Sequence, residues 1–258
     1  MVTRSGRGSV FKQPYLALRR NIGYLAIFLP GIVWVGAMLL PPHVGIQNSI
    51  SAYYHTEMRN VFVGILFAMG FFLWTYDPKF YDKSYGNRDR YFGKAAAVFA
   101  IAVAFFPTSR ENWEAIIPPA VYSEGIYGFL HLIFAFLLFG TMIYFSYFLF
   151  TETRPGKKIR PGSAKEKRNR VYRAMALVMS VCVVLIGAYF VTEFWGLGRN
   201  LFDQLPPVFF LEGMAILAFG ISWAVKGEAL EQIGKDVKGV VKQARNVSRW
   251  VMSRNRRS

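Results

Sequence analysis

The sequence predicts an all-α fold: a polytopic membrane protein of six transmembrane helices, both termini in the cytoplasm, with a basic amphipathic helix in the C-terminal tail. Two observations carry this. First, six apolar stretches punctuate the 258 residues, of which 53% are hydrophobic and 17% aromatic. A bilayer core about 30 Å thick takes roughly 20 apolar residues per helix, and runs this long without alternation cannot be barrel strands. Second, the basic residues alternate between the seven intervening segments. Residues 1–20 hold 5 Lys plus Arg, 41–60 hold 1, 77–94 hold 5, 107–124 hold 1, 151–173 hold 9, 195–206 hold 1 and 226–258 hold 9, which accounts for all 31. Cytoplasmic loops carry the excess of Lys and Arg, so the odd-numbered segments are predicted inside.

Taken in order, residues 1–20 are basic and partly amphipathic through Val10, Phe11, Tyr15, Leu16 and Leu18, an expected interfacial lead-in. The predicted spans are Asn21–Leu40, Val61–Tyr76, Ala95–Phe106, Gly125–Phe150, Ala174–Phe194 and Pro207–Val225. The first starts too late and runs too long for a cleavable signal core, so it is expected to stay as an anchor. Pro41-Pro42 stops it. The third is the shortest and is predicted to begin as early as Tyr91, with Lys94 snorkelling to the interface. The inner loop Asp77–Arg90 mixes Asp, Lys, Arg and Tyr. The loop Thr151–Arg170 has two Pro-Gly pairs and a charge run, which reads as a flexible, solvated connection. In the tail, Leu230, Ile233, Val237, Val240, Val241, Val247, Trp250 and Val251 recur near a 3.6 period between basic residues. That predicts a helix on the inner leaflet, with a coiled-coil segment or a disordered basic tail as alternatives. The domain division is 1–225, the membrane domain with its lead-in, and 226–258, the tail.

The net charge of +16 invites a nucleic-acid reading. Its confinement to one predicted side argues instead for orientation and for contact with anionic lipids at the cytoplasmic face. No zinc-finger spacing or aromatic RNA-binding signature occurs, and nucleic acid is not an expected partner. Membrane lipids are, and a homo-oligomer is compatible. Cys182, the single cysteine, excludes an intrachain disulfide and a cysteine-based metal site. The predicted outer segments lack an Asn-x-Ser/Thr acceptor, which fits the multi-pass cell inner membrane.

Placed by depth, one group of ionisable residues falls near the outer boundary. Ser51, His55, Glu57 and Arg59 precede the second span, Arg110 and Glu111 follow the third, Glu124 opens the fourth, and Glu193 closes the fifth. At 1.5 Å per residue, His131 and Glu212 lie roughly 8–10 Å below that boundary. Ionisable groups at membrane depth face the bundle interior and mark functional sites by default. The plainer reading of His131 is a neutral imidazole bonded to backbone or Tyr. For Glu212 it is a structural pair with His131 or Arg59. Glu124 suits a helix N-terminus or open water. The densest motif, NSISAYYHTEMRN from Asn48 to Asn60, collects seven polar side chains, two Tyr and a His just before a helix that Thr56 could cap. It reads either as a cap over the bundle or as a ligand-facing lid.

Ser51-x-x-x-His55, with Tyr54 before the His, resembles the Ser/His motif of the progestin/adiponectin-receptor, hemolysin-III and alkaline-ceramidase superfamily. That resemblance implies a zinc site and lipid-amide hydrolysis. The family's closing His-x-x-x-His pair has no counterpart among His43, His55 and His131. Only His55, His131 and Glu212 could supply the three protein ligands of a catalytic zinc. A longer match resembles the DRAM (damage-regulated autophagy modulator) and fibroblast-growth-factor-receptor-activating-gene-like membrane family, with related bacterial families of unknown function. It runs through Ile50-Ser51, Arg59-Asn60-Val61-Phe62-Val63-Gly64, Ala104-Phe105-Phe106-Pro107, His131, Glu212 and Phe219-Gly220. It implies six helices and an association with lipid handling and membrane trafficking, but no particular reaction.

The leading expectation is an inner-membrane protein, not evidently an enzyme and with no cofactor, that binds a lipid or amphiphile in an outer pocket of Ser51, His55, Arg59, Glu124, His131 and Glu212. The first alternative is a membrane-embedded hydrolase with zinc on His55, His131 and Glu212. The second is a proton-coupled transporter using Glu212 and His131, against which stand the lack of repeat halves and of a mid-membrane acid.

Overall fold

The computed structural model describes residues 12–80, 86–109, 124–153, 159–195, 206–229 and 231–232. Within them the chain is all-helical, with six α-helices: α1 Lys12–Leu39, α2 Arg59–Trp74, α3 Arg88–Phe105, α4 Glu124–Tyr144, α5 Ala164–Phe194 and α6 Pro207–Lys226. A 3₁₀ turn, Ser51–His55, precedes α2, and a π-helical turn, Phe145–Leu149, extends α4. Four segments are long and apolar enough to cross a membrane: Gln13–Leu39, Gly125–Leu149, Ala164–Thr192 and Pro207–Lys226. They identify a membrane protein by length and composition. At 16 residues α2 is shorter, and the first turns of α3 carry Arg88, Asp89, Arg90 and Lys94.

Successive helices run antiparallel, which leaves the bundle with two ends. We call them the Ser51 end, where α1 finishes, and the Arg19 end, near its start. α6 is the hub, with more than half of its span buried and its most extensive contacts to α1 and α5. Pro207 opens it at the helix start, where a missing N–H costs nothing. Two glycines set the α1–α6 distance. A Cβ on Gly23 would stand 2.6 Å from the Ala224 nitrogen, and one on Gly220 would stand 2.8 Å from the Gly23 carbonyl. Small residues of this kind let backbones touch, which is how membrane helices gain dispersion contacts without a hydrophobic drive. Further along the same seam, a Cβ on Gly227 would meet Arg20 and Leu16. α2 and α3 pack similarly, with Gly93 against the Leu73 carbonyl and Gly70 against Ile101.

Three expectations change here. The lead-in changes in its second half: residues 12–20 continue α1, and Tyr15, Leu16 and Arg19 are buried, while residues 1–11, with Val10 and Phe11, lie outside the described residues. The last residues of the loop Thr151–Arg170 already belong to α5, where Lys165 ties down the Phe150 and Glu152 carbonyls at 3.1 and 3.0 Å and Asn169 is buried. Thr56 is not the cap of α2, which begins after Met58 without a side-chain cap. Its hydroxyl donates to the Tyr53 carbonyl (2.9 Å) and accepts from the Met58 N–H (3.1 Å), locking the turn between the 3₁₀ segment and the helix. The Lys94 ammonium lies over the Trp74 ring, 5.1 Å from its centroid. Of the tail helix predicted over 226–258, residue 230 and residues 233–258 lie outside the described residues.

Candidate functional site

The segment before α2 is built by its own serines. The Ser49 hydroxyl accepts the Ala52 N–H at 3.0 Å and lies 3.0 Å from the Ser51 hydroxyl, which starts the 3₁₀ turn. The turn packs inward through Ile50, Tyr53 and Tyr54, all buried. Burial pushes the Tyr53 phenol up to about 12, so it stays neutral. The turn thereby aims the N–H groups of Ile50 and Ser51 at α6, where one oxygen of Glu212, Oε2, accepts them at 2.7 and 3.4 Å. A carboxylate below the helix end is thus held by backbone donors, where the sequence suggested His131 or Arg59 as partner. Arg59 turns away. Its guanidinium stacks 4.3 Å from the Tyr54 ring centroid and donates to the Tyr54 hydroxyl at 2.6 Å.

The two histidines clamp the chain that leaves α3. His55 Nε2 donates to the Thr108 carbonyl at 2.8 Å, and His131 Nδ1 donates to the Phe106 carbonyl at 2.7 Å. A carbonyl can only accept, so these ring nitrogens carry the protons. His131 is buried, and its backbone bond is the plainer of the two roles the sequence allowed.

Two cavities meet at this end. One, about 60 Å³, runs inward between α1, α2, α4 and α6. The other, about 250 Å³, lies between α4, α5 and α6 and reaches Ser49, Thr108 and Ser109. Ser51, His131, Ala135, Phe139 and Glu212 line both. Of the sequence candidates, the structure therefore brings Ser51, His131 and Glu212 together. His55 and Arg59 line neither cavity, and the side chain of Glu124, the first residue of α4, lies outside the described residues. Among the described residues no three His, Cys, Asp or Glu side chains are grouped to hold a metal ion. The trio His55, His131 and Glu212 needed for zinc is not assembled.

A second buried polar cluster, not read from the sequence, occupies the Arg19 end. Arg19, Asp89 and Lys226 are all buried there. The Arg19 guanidinium donates to the hydroxyls of Tyr15 (3.1 Å) and Tyr76 (3.2 Å) and lies over both rings. The Tyr76 hydroxyl in turn donates to Asp89 Oδ1 at 3.4 Å. Lys226 Nζ donates to the Phe150 carbonyl at 3.2 Å and lies 5.0 and 5.8 Å from the Phe150 and Tyr172 ring centroids. Lys165 shares that carbonyl, so two ammonium groups meet the negative end of the extended α4. Trp223 fills the centre, with ring centroids of Tyr76, Phe150 and Phe145 at 4.9, 5.1 and 5.4 Å. Aromatic faces and a helix end thus replace much of the water these cations lose. The signal was present in the clustering of Tyr and Trp near charged residues, but each charge reads as an ordinary loop or terminal residue.

No family model, no curated protein and no solved structure matches the chain.

Proposed function

We propose that this is a six-span inner-membrane protein, both termini inside, that binds a lipid or other amphiphile in the joined cavities of the Ser51 end, which faces the outer half of the membrane. The observation that carries the reading is the composition of those walls. Ser51, His131 and Glu212 stand where the two spaces meet, and the smaller one continues inward between Leu66, Met69 and Met142. A polar patch at the mouth of an otherwise apolar concavity is what an amphiphile requires. The resemblance to the DRAM-like family, with its association with lipid handling, supports the same direction. The hydrolase alternative has weaker support, since among the described residues no three His, Cys, Asp or Glu side chains are grouped to hold a metal ion.

The test is lipid retention. Protein purified in a mild neutral detergent should carry a co-purifying amphiphile in native mass spectra. Ala135→Trp, which fills the shared wall, should remove it. Retention unchanged by that substitution, in a variant that keeps its helical circular dichroism, would sink the proposal.

A further inference from the structure

We infer that the occupant of this cavity, if the amphiphile reading holds, is a single-chain amphiphile with a cationic, hydrogen-bond-donating head, such as a long-chain alkylammonium. The argument begins with the charge of the wall. Glu212 is the only acid among the residues lining the two cavities, and neither is lined by a Lys or Arg among the described residues. Its Oε2 is engaged by the Ile50 and Ser51 N–H groups. No bond is found to Oε1 among the described residues. A carboxylate in an apolar wall is costly without a partner, and here the opposite charge is left for the ligand to bring.

The remaining polar groups point the same way. The Ser49, Ser51 and Ser109 hydroxyls border the larger cavity, and hydroxyls can accept the N–H bonds of an ammonium. A phosphate or carboxylate head would meet Glu212 as a like charge and would find no Arg fork to pair with. The apolar part then fixes the tail. From His131 to Met142 the wall of α4 runs eleven residues, about 16 Å at 1.5 Å per residue. The inner cavity of about 60 Å³ is narrow, which favours one chain over two.

The experiment uses the full chain in neutral detergent with a photoreactive dodecylamine, competed by excess dodecylammonium, dodecanol or dodecanoate, and maps the labelled residues by mass spectrometry. The expected result is labelling on α4 or α6 around the cavity, displaced by dodecylammonium at about tenfold lower concentration than by the other two. Glu212→Gln should abolish that preference. Should the variant fail to fold, the comparison of competitors on the unmodified protein decides alone. Labelling at the cavity displaced equally by all three overturns the cationic head while leaving the amphiphile pocket standing. Labelling only at residues away from the cavity overturns both.

Discussion

Glu212 and Asp89 are both carboxylates inside the bundle, yet their surroundings set different consequences for removing them. Glu212 satisfies two backbone donors of the turn before α2. Glu212→Ala would leave both N–H groups without an acceptor, at about 1–3 kcal/mol. Glu212→Gln keeps a carbonyl oxygen at that place, so its thermal midpoint in detergent should fall clearly less than that of the alanine variant. Equal losses would mean that the backbone contact contributes nothing. Among the described residues Asp89 is the only buried acid at the end that holds the buried cations Arg19 and Lys226. Asp89→Ala removes the negative member and should cost roughly 3–5 kcal/mol, as for any broken buried charge cluster. Adding Lys226→Met to that variant should recover part of the loss, because it removes one of the two uncompensated charges; a double variant no more stable than Asp89→Ala would refute the coupling. The sequence made Glu212 and His131 legible through depth alone, since an acid five residues into an apolar helix is conspicuous. Arg19, Asp89 and Lys226 were not, because each stands at the end of an apolar run, where charge is ordinary. Only the antiparallel packing of α1, α3 and α6 brings those three ends into one interior.

At the scale of elements, helix identity followed from apolar runs, while boundaries did not. α1 begins before residue 20 because Tyr15 and Arg19 find partners in Tyr76, a tertiary contact that no local pattern reveals. α5 begins at Ala164 because Lys165 and Asn169 bond the carbonyls that end the preceding segment. Likewise the close approach of α1 and α6 is written as two glycines among the 23 in the chain, most of which the sequence gives no reason to prefer. The structure separates them. Gly220→Ala must push a methyl against the Gly23 carbonyl and Ile27, so it should lower the thermal midpoint even though alanine is the better helix former by about 0.5–1 kcal/mol. Gly140→Ala, in α4, meets nothing within 4 Å and should leave the midpoint unchanged or raise it. Differential scanning fluorimetry of the pair decides the point. A Gly220→Ala protein as stable as Gly140→Ala would show that the seam has room.

For the whole molecule, the proposed arrangement in the bilayer rests on the alternating direction of the six helices and on the alternating basic counts 5, 1, 5, 1, 9, 1 and 9. Antiparallel order puts the start of α1, the end of α2, the starts of α3 and α5, and the end of α6 at the Arg19 end, and the four basic segments of the sequence adjoin those helix ends. The buried cluster of Arg19, Asp89 and Lys226 would then lie near the inner leaflet and the Glu212 cavity near the outer one. In that arrangement the two sites are separable by side as well as by chemistry. Cys182 is the only native cysteine, so a Cys182→Ser background gives a clean scaffold for labelling. Single cysteines in place of Gly45, Ala115 and Asn200 should react with a membrane-impermeant maleimide in intact cells, while those in place of Arg160 and Val240 should react only after the membrane is opened. The reason is the inward retention of Lys- and Arg-rich short loops, reinforced by attraction of about 1 kcal/mol per basic residue to an anionic inner surface. Reaction of positions 160 and 240 in intact cells, with 45, 115 and 200 protected, would reverse the orientation and place the Glu212 cavity on the cytoplasmic side. A mixed pattern, such as 115 protected and 45 reactive, would mean that α2 and α3, the two helices outside the four clear spans, do not both cross.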